Sequence, residues 1–167
     1  MASWKAAFLK SLEEDSDLVD ESDFEFGPPA TANDLAALES QISAKLPADV
    51  QSLLSEFNGI TRTTGGFREP YYFSTQEMPQ AVEVYRHWDQ PTDLLMQCSR
   101  DILYICQENG FSRMWGIAIR PFGPFVYGQV VAFDHDMIRN AELPEELFGS
   151  PYQRLIDLVE ADWKMAN

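Results

Sequence analysis

The chain has 167 residues, a length that fits one domain with its own core, and 45% of them are apolar or aromatic. Its net charge is −15, and such a surface repels phosphate backbones and anionic lipid heads; this argues against nucleic-acid and membrane partners and leaves solubility or a basic protein partner as its use. The apolar runs are too short for a membrane span or a secretory core, so the chain reads as soluble and cytoplasmic.

Ser3 offers a cap, and Trp4, Ala7, Phe8 and Leu12 recur at helical spacing, which predicts an amino-terminal helix in need of a packing partner. An acidic run from Glu13 to Glu25 closes on Gly27-Pro28-Pro29, and its composition predicts a solvated linker. Residues 1–26 carry −6 of the net charge, leaving −9 on the remainder, so the acidity is global. Residues 1–30 are read as a helix-and-linker extension and 31–167 as a single domain.

Thr31 and Asp34 have the spacing of a capping box, opening a helix whose buried face is Leu35, Leu38 and Ile42. Pro47 then starts a second helix. Val50, Leu53, Leu54 and Phe57 lie at i, i+3, i+4 and i+7 on one side of it, and Gly59 supplies a left-handed residue to close it. Thr61 to Gly66 reads as a loop, Tyr71-Tyr72-Phe73 as a strand, and Met78, Val82 and Tyr85 as a short helix.

Ile102 to Cys106 is apolar on both alternating sets, as a central strand covered on each face requires, and Asn109-Gly110 is a hairpin-type turn signal. In the next strand, Met114 to Ile119, the residues Trp115, Ile117 and Ile119 share a face. Gly116 and Ala118 lie opposite, where their small size permits close approach of a helix or a neighbouring strand. A third strand covers Gly128 to Asp134. Ser150-Pro151-Tyr152-Gln153 then joins a cap, a first-turn proline and a capping-box glutamine, opening a helix with Tyr152, Leu155, Ile156, Val159 and Trp163 on its buried face. This order predicts an α+β domain with a mostly antiparallel sheet and helices packed on one face.

The order Leu46-Pro47, apolar stripe, Phe57-Asn58-Gly59 resembles the opening signature of the SUKH superfamily. Asp101 through Gly110 looks like that family's first central strand and its glycine-bearing turn. Gly128 through Asp136 is similar to its later strand, which ends in an aromatic residue, an acid and a histidine. The resemblance covers about residues 31 to 165; it departs from the family pattern at Val50, where an aromatic is frequent, and at Ile60, where a second glycine is frequent. The family includes fungal cell-wall-assembly regulators and many bacterial immunity proteins. The resemblance therefore implies a SUKH-like fold and a non-enzymatic immunity protein that neutralises a cognate toxin inside the cell. The alternative it implies is a housekeeping regulatory or interaction module.

Asp134-His135-Asp136 is the one cluster with a chemical look, since two carboxylates beside an imidazole could orient a general base or bind a divalent metal. Strand alternation, however, turns His135 away from both aspartates, so a strand-end turn is the preferred reading and no catalytic, metal or cofactor site is assigned. His87, between Arg86 and Trp88, reads as a partly exposed helical residue. Gly65-Gly66 lacks the lysine and helix of a phosphate loop, and Cys98 and Cys106 read as reduced structural thiols without zinc spacing. Desolvation would make Cys106 a poor nucleophile.

Binding has more to draw on. Arg120 to Gly128 is rich in proline and glycine yet carries Phe122, Phe125 and Tyr127, which would be interface anchors if they face solvent; the alternative is that Phe122 and Phe125 fold back onto the sheet edge. Glu69, Tyr71 and Tyr72 form a second candidate patch, with a core role for at least one tyrosine. The candidate partner-binding residues are thus Glu69, Tyr71, Phe122, Phe125, Tyr127, Asp134 and Asp136, facing a toxin with a basic surface.

Overall fold

Helix α1 spans Trp4–Glu13 and buries Trp4, Ala7, Phe8 and Leu12, the predicted stripe. Helix α2, Ala32–Ile42, opens with the predicted capping box: Thr31 Oγ1 accepts from the Asp34 amide at 3.2 Å, and the Asp34 carboxylate accepts from the Thr31 amide at 2.8 Å. Helix α3, Ala48–Glu56, follows Pro47 and buries Val50, Leu53 and Leu54; it ends before Phe57, whose backbone is extended at φ −151°, so Gly59, with φ 91°, turns the chain beyond the helix and does not close it as expected. These elements belong to a computed structural model that describes residues 3–13, 21–81, 83, 93–108, 113–134, 141–150 and 152–161.

The described strands form one seven-stranded sheet whose spatial order equals the chain order, every neighbouring pair antiparallel. They are β1 (Phe24–Phe26), β2 (Ile60–Thr64), β3 (Phe67–Tyr72), β4 (Ile102–Glu108), β5 (Arg113–Ala118), β6 (Val130–Asp134) and β7 (Phe148–Gly149). The protein therefore has the α+β architecture with an antiparallel sheet that its element order predicts.

Two expectations are corrected at the first edge of the sheet. Phe24-Glu25-Phe26, read as part of the linker, is strand β1, because β2 offers its backbone as a partner with Phe24 opposite Arg62 and Phe26 opposite Ile60. The segment read as a loop from Thr61 is β2, hairpinned to β3 with Thr64 opposite Phe67. Its threonines are β-branched and suit a strand, and Gly65 and Gly66, at φ 58° and 85°, supply the two positive values that a two-residue hairpin loop needs.

The centre of the sheet follows expectation. Every described side chain from Ile102 to Gln107 and from Met114 to Ala118 is buried, so β4 and β5 are covered on both faces. The pairing of β4 with β5 shifts register between Tyr104 and Cys106, which accommodates one extra residue, the fully buried Ile105. Gly116 has β4 as its close neighbour: a Cβ placed there would lie 2.5 Å from Ile102 Cγ2 and 2.9 Å from the Leu103 carbonyl oxygen.

Among the described residues, further helices are α4 (Asp93–Cys98), α5 (Pro144–Leu147) and α6 (Leu155–Ala161). Helix α1 packs against α6 and α3, and α3 against α6, which gives the amino-terminal helix its partners. Phe8 extends that packing onto the sheet edge, its ring meeting those of Phe24, Phe26 and Tyr72 edge-on at 5.3, 5.6 and 5.9 Å. Glu56, at the end of α3, receives the amides of Trp4 at 2.8 Å and Lys5 at 3.0 Å and the Ser3 hydroxyl, so a distant carboxylate caps α1.

The helix start predicted at Ser150 is displaced to Leu155. Ser150 is committed elsewhere, donating to the Val130 carbonyl at 2.8 Å and accepting from Gln129 Nε2 at 2.7 Å, which ties the exit of β7 to β6. Where a short helix was expected from Met78, a 3₁₀ turn covers Met78–Gln80; Val82, Tyr85, the Asn109-Gly110 turn and Trp163 lie outside the described residues.

Candidate interaction surface

The segment after β5 is held by hydrogen bonds at its root and by rings at its middle. Phe122 and Phe125 exchange both backbone bonds, at 3.1 and 2.9 Å, around a turn in which Gly123 has φ 49°. Their rings lie 4.9 Å apart and stand edge-on to Phe148 at 5.6 and 6.4 Å; Phe148 in turn meets Phe133 at 5.6 Å. Phe122 and Phe125 are therefore buried on the edge strand β7, the second of the two readings of this segment, and are not exposed as anchors. Burial on Phe148 removes apolar area from water that exposure would have left hydrated.

Tyr127, from the same segment, keeps the expected exposure at 48%, and its hydroxyl donates to the Lys45 carbonyl oxygen at 3.3 Å. Tyr71 does not: it is buried against Phe24 at 5.5 Å and Phe8 at 6.1 Å, because α1 covers that end of β3. Its neighbour Tyr72 is buried as well. Glu69 is half-buried on β3 opposite Arg62. Asp134 is the last residue of β6, opposite Arg113, some distance along the sheet from Glu69, which sits on β3; Asp136, His135 and His87 lie outside the described residues.

Exposed apolar side chains that sequence reasoning did not single out are Val126 at 61%, Leu143 at 51% and Phe67 at 81%. Val126 and Leu143 flank the turn just described, since a Cβ on Gly123 would lie 2.8 Å from Pro144 Cβ. The signal for Leu143 was its isolation among carboxylates in Glu142-Leu143-Pro144-Glu145-Glu146. Glu146 accepts from the Glu142 amide at 2.7 Å and the Leu143 amide at 3.1 Å, and those donors hold its carboxyl below the ordinary value. Phe67 sits apart, at the tip of the β2–β3 hairpin.

A cavity of about 310 Å³ opens between α2, the Met78–Gln80 turn, α4 and β4, lined in part by Met78, Met96, Ser99, Tyr104 and Arg120. Its polar groups are poorly suited to acid-base or nucleophilic work. Burial pushes the Tyr104 phenol well above its usual range despite the Ser99 hydroxyl 3.0 Å away, and burial followed by the Asp101 charge pushes the neighbouring Cys98 thiol up. Cys98 and Cys106 are both buried, and neither is in a disulfide. Among the described residues no three His, Cys, Asp or Glu side chains converge as metal ligands, and no helix is long and apolar enough to cross a membrane.

The family model described as SMI1 / KNR4 family (SUKH-1) matches residues 29–150, from just after β1 through β7. No curated protein matches the chain by sequence.

Proposed function

From the premise that this chain belongs to the SMI1 / KNR4 (SUKH-1) family, we propose that it is a cytoplasmic immunity protein that binds and neutralises one cognate toxin by occlusion, without chemistry of its own. The family match carries the reading, because immunity proteins are among the members of the superfamily that the sequence resembles. The net charge of −15 supports a toxin with a basic surface, such as a nuclease domain: opposite charge accelerates encounter, and a few desolvated side chains then supply the lasting affinity. A standard complex buries about 1,600 Å² in total, which a domain of this size can provide.

The direct test is coexpression with the toxin encoded beside the gene, scored by survival of the host and by isolation of a complex. Protection with a stable complex is the expected result. Toxicity that persists with no complex formed overturns the reading and leaves the regulatory-module alternative, for which an isolated gene and a normal cellular partner would speak.

A further inference from the structure

We propose that Val126, Tyr127 and Leu143, exposed on the two segments that the Phe122, Phe125 and Phe148 rings join, form the surface that receives the cationic protein partner. The proposal rests on the binding role above and gives that role a location.

The two contributing segments are braced against each other. Phe122 and Phe125 come from one and Phe148 from the end of the other, with the three rings in mutual contact. Gly123 lies so close to Pro144 that a methyl group would clash. The exposed side chains next to these residues in the chain therefore stand on backbone already braced in the free protein, and binding there requires little further loss of loop entropy. Their exposure in water is unfavourable and is relieved by a partner.

Charge decides what kind of partner. Glu142, Glu145 and Glu146 are exposed around Leu143. Among the described residues, Lys45, whose carbonyl receives the Tyr127 hydroxyl, pairs with Glu39 at 2.6 Å, and Arg120, at the root of the same segment, lies 3.6 Å from Asp101 and donates to three backbone carbonyls. An apolar centre with a carboxylate rim is the anatomy of an interface for a basic surface that presents an apolar contact. Phe67 has no such setting. It stands alone at a hairpin tip beside Arg68, which pairs with Glu25, and it serves as the competing location.

The experiment measures binding kinetics of the full chain against the catalytic domain of the toxin encoded beside its gene. Val126→Lys and Leu143→Lys, at positions exposed enough to leave folding intact, should each raise Kd about tenfold or more, and together about a hundredfold. The pair Glu142→Gln and Glu145→Gln should lower the association rate severalfold at low salt and leave dissociation almost unchanged; Glu146 is spared because it caps α5. Phe67→Lys should leave Kd within about twofold. Thermal midpoints check folding, and if a lysine variant fails that check, Val126→Ser and Leu143→Ser replace it, with Kd raised about threefold or more. Wild-type affinity in the folded double variant, or loss confined to Phe67→Lys, overturns the proposed location while leaving the binding role intact. A wild-type chain that forms no complex overturns the role itself, and the location falls with it.

Discussion

Arg120 donates through Nη2 to the carbonyl oxygen of Ser43 at 2.6 Å, joining the segment after β5 to the end of α2. Ser43 is the one non-glycine residue with positive φ among those described, at 51°, and it closes α2 in the left-handed conformation. The same Nη2 reaches the Ile42 carbonyl at 2.8 Å, and Nη1 reaches the Arg100 carbonyl at 2.9 Å. One guanidinium thus satisfies helix-end oxygens that no helical amide can reach. Replacing Arg120 by Lys keeps the charge beside Asp101 but loses the planar fork. It should lower stability by about 1 to 2 kcal/mol, read as a lower urea midpoint with unchanged slope.

Glu56 makes the docking of α1 dependent on pH. Burial alone would raise its pKa, but the Ser3 hydroxyl, the Lys5 and Trp4 amides and the Lys5 charge outweigh it and hold the carboxyl below its ordinary 4.5. Because the folded value lies below the unfolded one, the contribution is complete above the unfolded value and disappears as pH falls through the folded value. Hydrogen exchange at the Trp4 and Lys5 amides should accelerate, relative to the intrinsic rate, as acid is added. Glu56→Gln should weaken protection at neutral pH and remove its dependence on acid.

Gly116 is required for its size. Ala at this position would set a methyl carbon 2.5 Å from Ile102 Cγ2 and 2.9 Å from the Leu103 carbonyl oxygen, the latter a main-chain atom of a paired strand that cannot step aside alone. The expected cost is about 1 to 3 kcal/mol by overpacking, measured by chemical unfolding. Wild-type stability in that variant would mean that β4 and β5 lie further apart than described.

Tyr104 and Ser99 hold each other's hydroxyls in the core. Tyr104→Phe should cost about 1 to 2 kcal/mol, because the Ser99 hydroxyl then stays buried without this partner. In alkaline titration followed by ultraviolet absorbance, the Tyr104 phenol should stay protonated for as long as the chain remains folded.

Leu53→Ala should destabilise by about 2 to 5 kcal/mol, as expected for a fully buried leucine in α3, and should weaken partner binding only through loss of folded protein. Binding measured per folded molecule, with the folded fraction taken from near-ultraviolet dichroism, should equal that of the wild type.

What the sequence determined by itself is local. The capping box of Thr31 and Asp34, the Pro47 start and the stripe of Val50, Leu53 and Leu54 are legible because a helix makes its hydrogen bonds within a few residues and displays its period directly. The doubly covered strand at Ile102–Cys106 is legible because both alternating sets are apolar. Tertiary structure alone decided the strand character of Phe24-Glu25-Phe26, because a strand's hydrogen bonds belong to its neighbour and that neighbour, β2, lies more than thirty residues on. It likewise decided which rings face water. Phe122, Phe125 and Tyr127 share one short segment and one composition, yet Phe148 and its surroundings bury the first two and leave the third exposed. Apolar composition states that an aromatic side chain gains by leaving water; only the arrival of a distant surface determines whether it does.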